Sequence, residues 1–451
     1  MSNISLFTTS LKSGVLAGHR STGYVLIKLQ TPVVEEIESS RGALNLSLVL
    51  DRSGSMSGIP LREAKRCAQE AIAHLAEGDR VGLVIYDNRV ECLSEMLSAT
   101  SENKEKLNKL IENINCGGST NLHGGWKKGM EQLIPFKEDN AISRVIILSD
   151  GRANIGITDP DQIVAQCSQA LEQGISTSTY GLGNGFNEDL MISMAESSGG
   201  NSYYGESAED LIEPFEQEFE LLQALTHKNI VLKVKASEDV ELTLLNQFYR
   251  IKPEKKNEEK GQGVSSSYKM KNMAHGTEAW ALFRFETKES PKDLESAFKI
   301  FEFNVSYESQ DGEKKESETV TCALPVLPSN AYADLVEDAA VRSKVSELEA
   351  ARIQTEARSA ALRSDWDRVD QLLNQARQNA QGNEWLTRIV GGLELLAARR
   401  DNARFSKEAR YSSLKLRNRS EPTEEMTSSL LSKGESLPSY YRKKTRQGKR
   451  N

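Results

Sequence analysis

Residues 46–58 read LSLVLDRSGSMSG. An apolar run ends on Asp51, and Ser53 and Ser55 follow at alternate positions in a turn loosened by Gly54 and Gly58. A short, nearly continuous apolar run is the mark of a strand buried on both faces. A carboxylate at its end, followed by spaced hydroxyls, is the mark of a polar site beyond the strand.

The surrounding chain repeats this strand in alternation with helices. LNLSLVLD (44–51), DRVGLVIYD (79–87), SRVIILSDG (143–151) and STSTYGLG (176–183) read as buried strands, and RVECLS and NSYYG as shorter ones. PLREAKRCAQEAIAHL (60–75), NKEKLNKLIENI (103–114), TNLHGGWKKGMEQLI (120–134), DPDQIVAQCSQALEQG (159–174), NEDLMISMAESSGG and 207–225 have helical periodicity. Pro60 suits a first helical position, and Gly174 a helix stop. Such alternation predicts an α/β unit with a doubly wound, mostly parallel, Rossmann-like sheet. In these sheets ligands bind beyond the carboxyl ends of the strands. Asp51 and Asp150 stand at two such ends.

Outside 42–226 the pattern changes. Residues 227–328 read as strands with no helix between them, the pattern of an antiparallel β-sandwich. The strand at 20–30 has no place in the α/β unit, so residues 1–41 are expected to complete that sandwich, with the α/β unit inserted in it. Residues 329–405 read as a three-helix bundle, with SDWD and NEW capping the two later helices. Residues 406–451, polar and finally basic, are expected to be a disordered tail.

Composition narrows the function. Five cysteines are scattered without a CxxC pair, which argues against a zinc ribbon or disulfide framework and for a reducing compartment. The start of the chain lacks the apolar region of a signal peptide, and no apolar stretch approaches the roughly 20 residues that span a bilayer. A cytoplasmic protein is the expectation. The net charge is −8, but the last ten residues carry six basic side chains. With these set apart, residues 1–441 hold −14. So acidic a body is a poor nucleic-acid partner.

Three stretches meet if the sheet is built this way: Asp51, Ser53 and Ser55 after the first buried strand; Thr120 in CGGSTNLHGG; and Asp150 in ILSDG. Two carboxylates and three hydroxyls form an all-oxygen set, suited to a hard divalent cation. With only two formal negative charges the cation stays electrophilic. Asp87 is read as a turn residue and His123 as a surface or packing residue. Enzymatic readings fail on residue type. A haloacid-dehalogenase-type phosphatase wants an Asp where Ser53 stands. Ser55 is not in a GxSxG elbow, GLGNG lacks the full dinucleotide spacing, and no GxxxxGK[ST] exists.

DRSGSM, the GGSTN loop and SDG together resemble the metal-ion-dependent adhesion site of von Willebrand factor type A domains. The resemblance covers 44–225 in element order as well as motif, and it is of a bacterial type. The flanking regions resemble bacterial and inter-alpha-inhibitor-like members in outline. It implies that Asp51, Ser53, Ser55, Thr120 and Asp150 bind Mg²⁺ (or Mn²⁺ or Ca²⁺), the aspartates directly or through water. It also implies that an Asp or Glu of a protein partner completes the shell, and that occupancy slides the last helix of the unit. An alternative is a regulatory or adaptor subunit of an AAA+ ATPase or kinase–phosphatase complex.

Overall fold

In the computed structural model the described residues are 3–34, 42–136, 141–150, 152–183, 186–205, 209–251, 264–294, 296–309 and 312–441. Most of the spacer at 33–42, the charged stretch 252–263 and the basic terminus 442–451 lie outside them. The chain forms two compact units. One comprises Met1–Glu35, Leu225–Ser309 and Glu313–Leu437, and the other Glu36–Ala224, Gln310–Gly312 and Pro438–Asn451.

The second unit is the α/β body. Its elements, numbered in chain order, are β1 (Leu44–Asp51), α1 (Ile59–Ala73), β2 (Arg80–Tyr86), β3 (Val90–Ser98), α2 (Ser101–Glu112) and α3 (Leu122–Leu133). There follow β4 (Ile142–Ser149), α4 (Pro160–Glu172), β5 (Ile175–Leu182), α5 (Glu188–Ser197), β6 (Ser202–Gly205) and α6 (Glu209–Ala224). The sheet order is β3-β2-β1-β4-β5-β6. All neighbours are parallel except β3 against β2. Every residue of β1, β4 and β5 is buried, as expected of a sheet covered by helices on both faces. The order reverses at β1, the topological switch where a ligand site is expected.

A buried ion pair fixes α6. Arg144 of β4 and Glu218 of α6 are both buried and bonded to each other. Glu218 also accepts from Ser178 Oγ at 2.6 Å, Asn201 Nδ2 at 2.8 Å and Tyr203 OH at 2.8 Å. Arg144 Nε donates to Ser176 Oγ at 2.9 Å. Burial pushes the Glu218 carboxyl up, but Arg144 and the surrounding donors outweigh it and hold it below the usual carboxylate value. A buried charge is tolerable when its lone pairs are satisfied in this way.

The first unit is a β-sandwich with helices. The strand Thr22–Gln30 pairs with Thr277–Thr287 along nine residues, so the N-terminal strand does complete the later β region, and the α/β unit is inserted in it. Ser5–Ser10 and Val240–Leu244 extend that sheet. A second sheet is built around Leu225–Ala236, Ala297–Glu308 and Val320–Leu327. Phe283, Phe301, Phe303, Ile27 and Ile230 pack in the core. Helices Ala339–Leu362, Trp366–Asn379, Glu384–Ala398 and Asn402–Asn418 share a second core. Asp365 and Asn383 cap the second and third of these by accepting from Arg368 and Leu386 amides.

The expected disorder from 406 is corrected within the described residues. Asn402–Asn418 and Glu424–Lys433 are helices, and Glu421–Pro422 pairs with Thr277–Glu278. Phe405, Ala409 and Leu416 recur at helical spacing and are fully buried. Polar residues among and beside them are buried too: Ser412 Oγ donates to Gln354 Oε1 at 2.7 Å, and Arg417 Nη2 donates to Thr355 Oγ1 at 3.1 Å. Polarity here serves an interface between helices, where composition suggested solvent. Further on, within the α/β unit, Ser439 donates to Glu220 Oε2 through its amide and hydroxyl, both at 2.7 Å, and accepts from Gln217 Nε2 at 2.9 Å.

Removing one partner of a buried pair strands the other's charge. Arg144→Ala is therefore expected to destabilise the protein by about 3–5 kcal/mol, read by urea unfolding. Arg144→Met combined with Glu218→Gln should cost less than the sum of the single changes. Additive costs would show that the pair is not coupled.

Candidate metal centre

Strands β1 and β4 run parallel with Leu50 opposite Leu148, which brings Asp51 beside Ser149 and Asp150. Asp51 is fully buried. Its Oδ1 accepts from the Ser53 amide at 2.8 Å and its Oδ2 from Ser149 Oγ at 2.6 Å. Ser53 and Ser55 hydroxyls lie 3.2 Å apart, and Ser55 Oγ donates to Asp150 Oδ1 at 2.9 Å. Four of the five expected donors are thus joined by hydrogen bonds, the Asp51–Ser53 link running through the Ser53 amide.

Thr120, buried, belongs to a loop stitched onto that run of bonds. The Gly54 amide donates to Gly118 O at 2.6 Å and the Gly117 amide to Arg52 O at 2.7 Å. The Thr120 amide donates to Asn154 Oδ1 at 2.8 Å, and Thr120 O accepts from the Asn154 and Ile155 amides at 3.1 and 3.2 Å. The loop carrying Thr120 is therefore clasped from one side by the Asp51 turn and from the other by the segment following Asp150.

Three residues beyond the expected five shape the site. Ser149 orients Asp51, and Asn154 holds the Thr120 backbone. Asp87 does more than make a turn. Its carboxylate accepts from the Arg89 amide at 2.7 Å and pairs with Arg52 Nε at 3.3 Å, while its carbonyl accepts from the Asn121 amide at 2.8 Å. A Cβ on Gly117 would stand 1.7 Å from Asp87 Oδ2, so only glycine lets the loop come this close. Ser149 sits beside Asp150 in ILSDG, and Asp87 ends an apolar strand; both were visible in the sequence. Asn154 carried no signal. His123 is buried, with Nε2 2.9 Å from Gln166 Oε1 and its ring against Trp126. It packs, and it does not face the oxygen set.

Electrostatics fit the grouping of two carboxylates. Burial pushes the Asp51 carboxyl above its ordinary value, against the hydrogen bonds from Ser149 and Ser53. Burial also pushes Asp150 up to about 6; the bond from Ser55 opposes this and the charge of Asp51 adds to it.

Comparison with known proteins matches this architecture. The family model of the von Willebrand factor type A domain matches residues 45–217. The chain carries a von Willebrand factor type A domain. An uncharacterized protein of Synechocystis sp. is 29% identical over 211 residues, which are 47% of this chain and 49% of that protein. Human inter-alpha-trypsin inhibitor heavy chain H3 is 28% identical over 157 residues, 34% of this chain and 18% of that protein. The chain thus spans about half the length of the first relative and less of the second. Two solved structures share the fold over most of the chain. A von Willebrand factor type A protein from Catenulispora acidiphila has a TM-score of 0.68 at 13% identity, covering 86% of this chain and 89% of that one. The ArnB paralog VWA2 from Sulfolobus acidocaldarius has a TM-score of 0.56 at 15% identity, covering 91% and 99%.

The type A domain's residues suit a hard cation. All donors in the set are oxygen, and Tyr86 places a buried hydroxyl beside Asp51 and Ser149 without a well-formed hydrogen bond to either. Among the described residues no three His, Cys, Asp or Glu side chains gather into a metal-holding group. Hydroxyls would have to supply the remaining donors.

Two outcomes follow from this geometry. A cation needs Asp150 ionised, and its ionisation is held up to about 6. Mn²⁺ affinity is therefore expected to fall as pH drops through 6, by roughly tenfold at pH 5; a flat titration would contradict it. Gly117→Ala removes no donor but drives the loop off Asp87. It should weaken Mn²⁺ binding on the order of tenfold, read by calorimetry with circular dichroism as the control for folding.

Proposed function

We propose that the chain is a divalent-cation-dependent protein-interaction module and not an enzyme. The observation that supports it is the hydrogen-bonded run from buried Asp51, through the Ser53 amide and hydroxyl, to exposed Ser55 and on to Asp150. Its inner end is anchored in the sheet, and Ser55 brings it to the surface. Asp51, Ser53, Ser55, Thr120 and Asp150 would hold Mg²⁺, or Mn²⁺ or Ca²⁺ in its place. The cation would supply a positive centre for one more oxygen ligand, an Asp or Glu of a protein partner. Such a contact is charge-assisted and gains strength where water is excluded. Ile59, 60% exposed at the start of α1, offers the partner an apolar foothold four residues from Ser55.

An enzymatic reading lacks a base. His123 is buried against Gln166 and Trp126. Asp150, its carboxyl pushed up to about 6 by burial, belongs to the donor set itself. The curated and structural relatives also support an interaction role, since proteins built on this domain commonly mediate protein–protein contacts. Among the described residues no helix is long and apolar enough to cross a membrane.

The test is affinity capture from lysate with wild type and Asp51→Asn, each with Mg²⁺ and with EDTA. Wild type with Mg²⁺ should retain a partner that is lost both with EDTA and in the variant. A partner held equally under all four conditions would sink the proposal. Mutating acidic residues on the captured partner then locates the ligand.

A further inference from the structure

Tyr86 is the last residue of β2 and lies opposite Asp51 in the parallel register. Its backbone is fixed there, because its carbonyl accepts from the Arg52 amide at 2.8 Å. Its ring is fixed as well. A Cβ on Gly125, in the first turn of α3, would stand 2.4 Å from Tyr86 Cδ1. The ring is wedged between the sheet and a helix that approaches only because residue 125 is glycine. The side chain is fully buried. This places its hydroxyl at the inner side of the oxygen set, near the Asp51 and Ser149 side chains and within the field of Asp150.

That hydroxyl has no well-formed partner. Ser149 already donates to Asp51 Oδ2 and the Ser53 amide to Oδ1, so both Asp51 oxygens are served from elsewhere. Burial, and then the charge of Asp51, push the phenol well above its ordinary value. A phenol is protonated at neutral pH in any case, so the hydroxyl can donate. A buried donor without an acceptor is rare in folded proteins and costs stability. A phenylalanine would fill the same space without that cost.

We propose that Tyr86 is a positioning residue of the cation site, its hydroxyl donating to a water that the bound cation keeps. Hard cations such as Mg²⁺ retain several waters, and losing a group that holds a metal's ligands in place typically costs about ten- to a hundredfold in affinity. Tyr86 thus sets which waters remain and leaves the outward position for the partner. This inference rests on the cation reading of the preceding section.

The test uses the full chain and Tyr86→Phe, with Tb³⁺ alone as an oxygen-seeking probe and Mg²⁺ as competitor. Luminescence lifetimes in H₂O and D₂O count the waters on the bound ion. Wild type should bind Tb³⁺, and Tyr86→Phe should bind it on the order of tenfold more weakly with a changed water count. In EDTA the variant should melt no lower than wild type, because no hydrogen bond has been removed. Equal affinity and equal water count in the two proteins would overturn the role of Tyr86 while leaving the cation site standing. A lower melting point of the variant in EDTA would show the hydroxyl bonded within the protein itself and overturn it too. Failure of wild type to bind Tb³⁺ or Mn²⁺ would remove the cation reading, and this inference with it.

Discussion

The parallel, in-register pairing of β1 with β4 is the constraint on which the rest of the site depends. It sets Leu50 against Leu148 and so forces Asp51, Ser149 and Asp150 into one small volume at the strand ends. A slip of one residue would turn these side chains to opposite faces. Both strands are buried throughout, and that burial specifies the register. The apolar residues therefore place the carboxylates, and burial raises the carboxyls it has placed. The same packing that stabilises the sheet leaves a local electrostatic demand that a cation would meet.

A second polar cluster does the opposite. Around Glu218 the charge is fully met by Arg144, Ser178, Asn201 and Tyr203. Hydrogen bonds to a charged group contribute about 1.5–3 kcal/mol each. A slide of α6 by one turn would break all four at once. The family resemblance implies that occupancy can slide this helix. Here the helix carries a buried anchor, and the segment at Ser439 adds contacts to Gln217 and Glu220. Any movement on cation binding would be more readily absorbed by the loops at Gly54, Gly117 and Asn154. The clasp around Thr120 is made there of a few backbone bonds and one side-chain bond, to Asn154 Oδ1.

Much of this was legible in the sequence, and the reasons are local. Buried parallel strands betray themselves as apolar runs, and a strand-end aspartate followed by alternate serines has few structural explanations. The strand at 20–30 could be assigned to the sandwich because it had no helix beside it. What could not be read is what depends on partners distant in sequence. Asn154 is one of several polar residues in an irregular segment, and only the fold shows that it faces Thr120. Phe405, Ala409 and Leu416 had helical spacing, but serines and basic residues among them suggested solvent. Gln354 and Thr355, some 60 residues away, are what make those polar groups tolerable inside. Tyr86 read as one more apolar strand residue, and its hydroxyl acquires meaning only beside Asp51.

The position of Asp87 carries the charge argument one step further. It is a third carboxylate close to the set, and it holds the loop that carries Thr120. Left unpaired, it would oppose an incoming carboxylate. At an illustrative separation of about 6 Å and an effective dielectric of about 20, two like unit charges repel by about 3 kcal/mol, roughly a hundredfold in affinity. Arg52, the residue between Asp51 and Ser53, lies 3.3 Å from Asp87 and 3.7 Å from Glu91. Its charge offsets that repulsion without reaching the oxygen set. The residue that looks incidental within the Asp-x-Ser-x-Ser motif is thus what lets an acidic scaffold hold the loop while the site presents two negative charges. On the proposed reading a divalent cation would balance those two, and an acidic ligand could then approach.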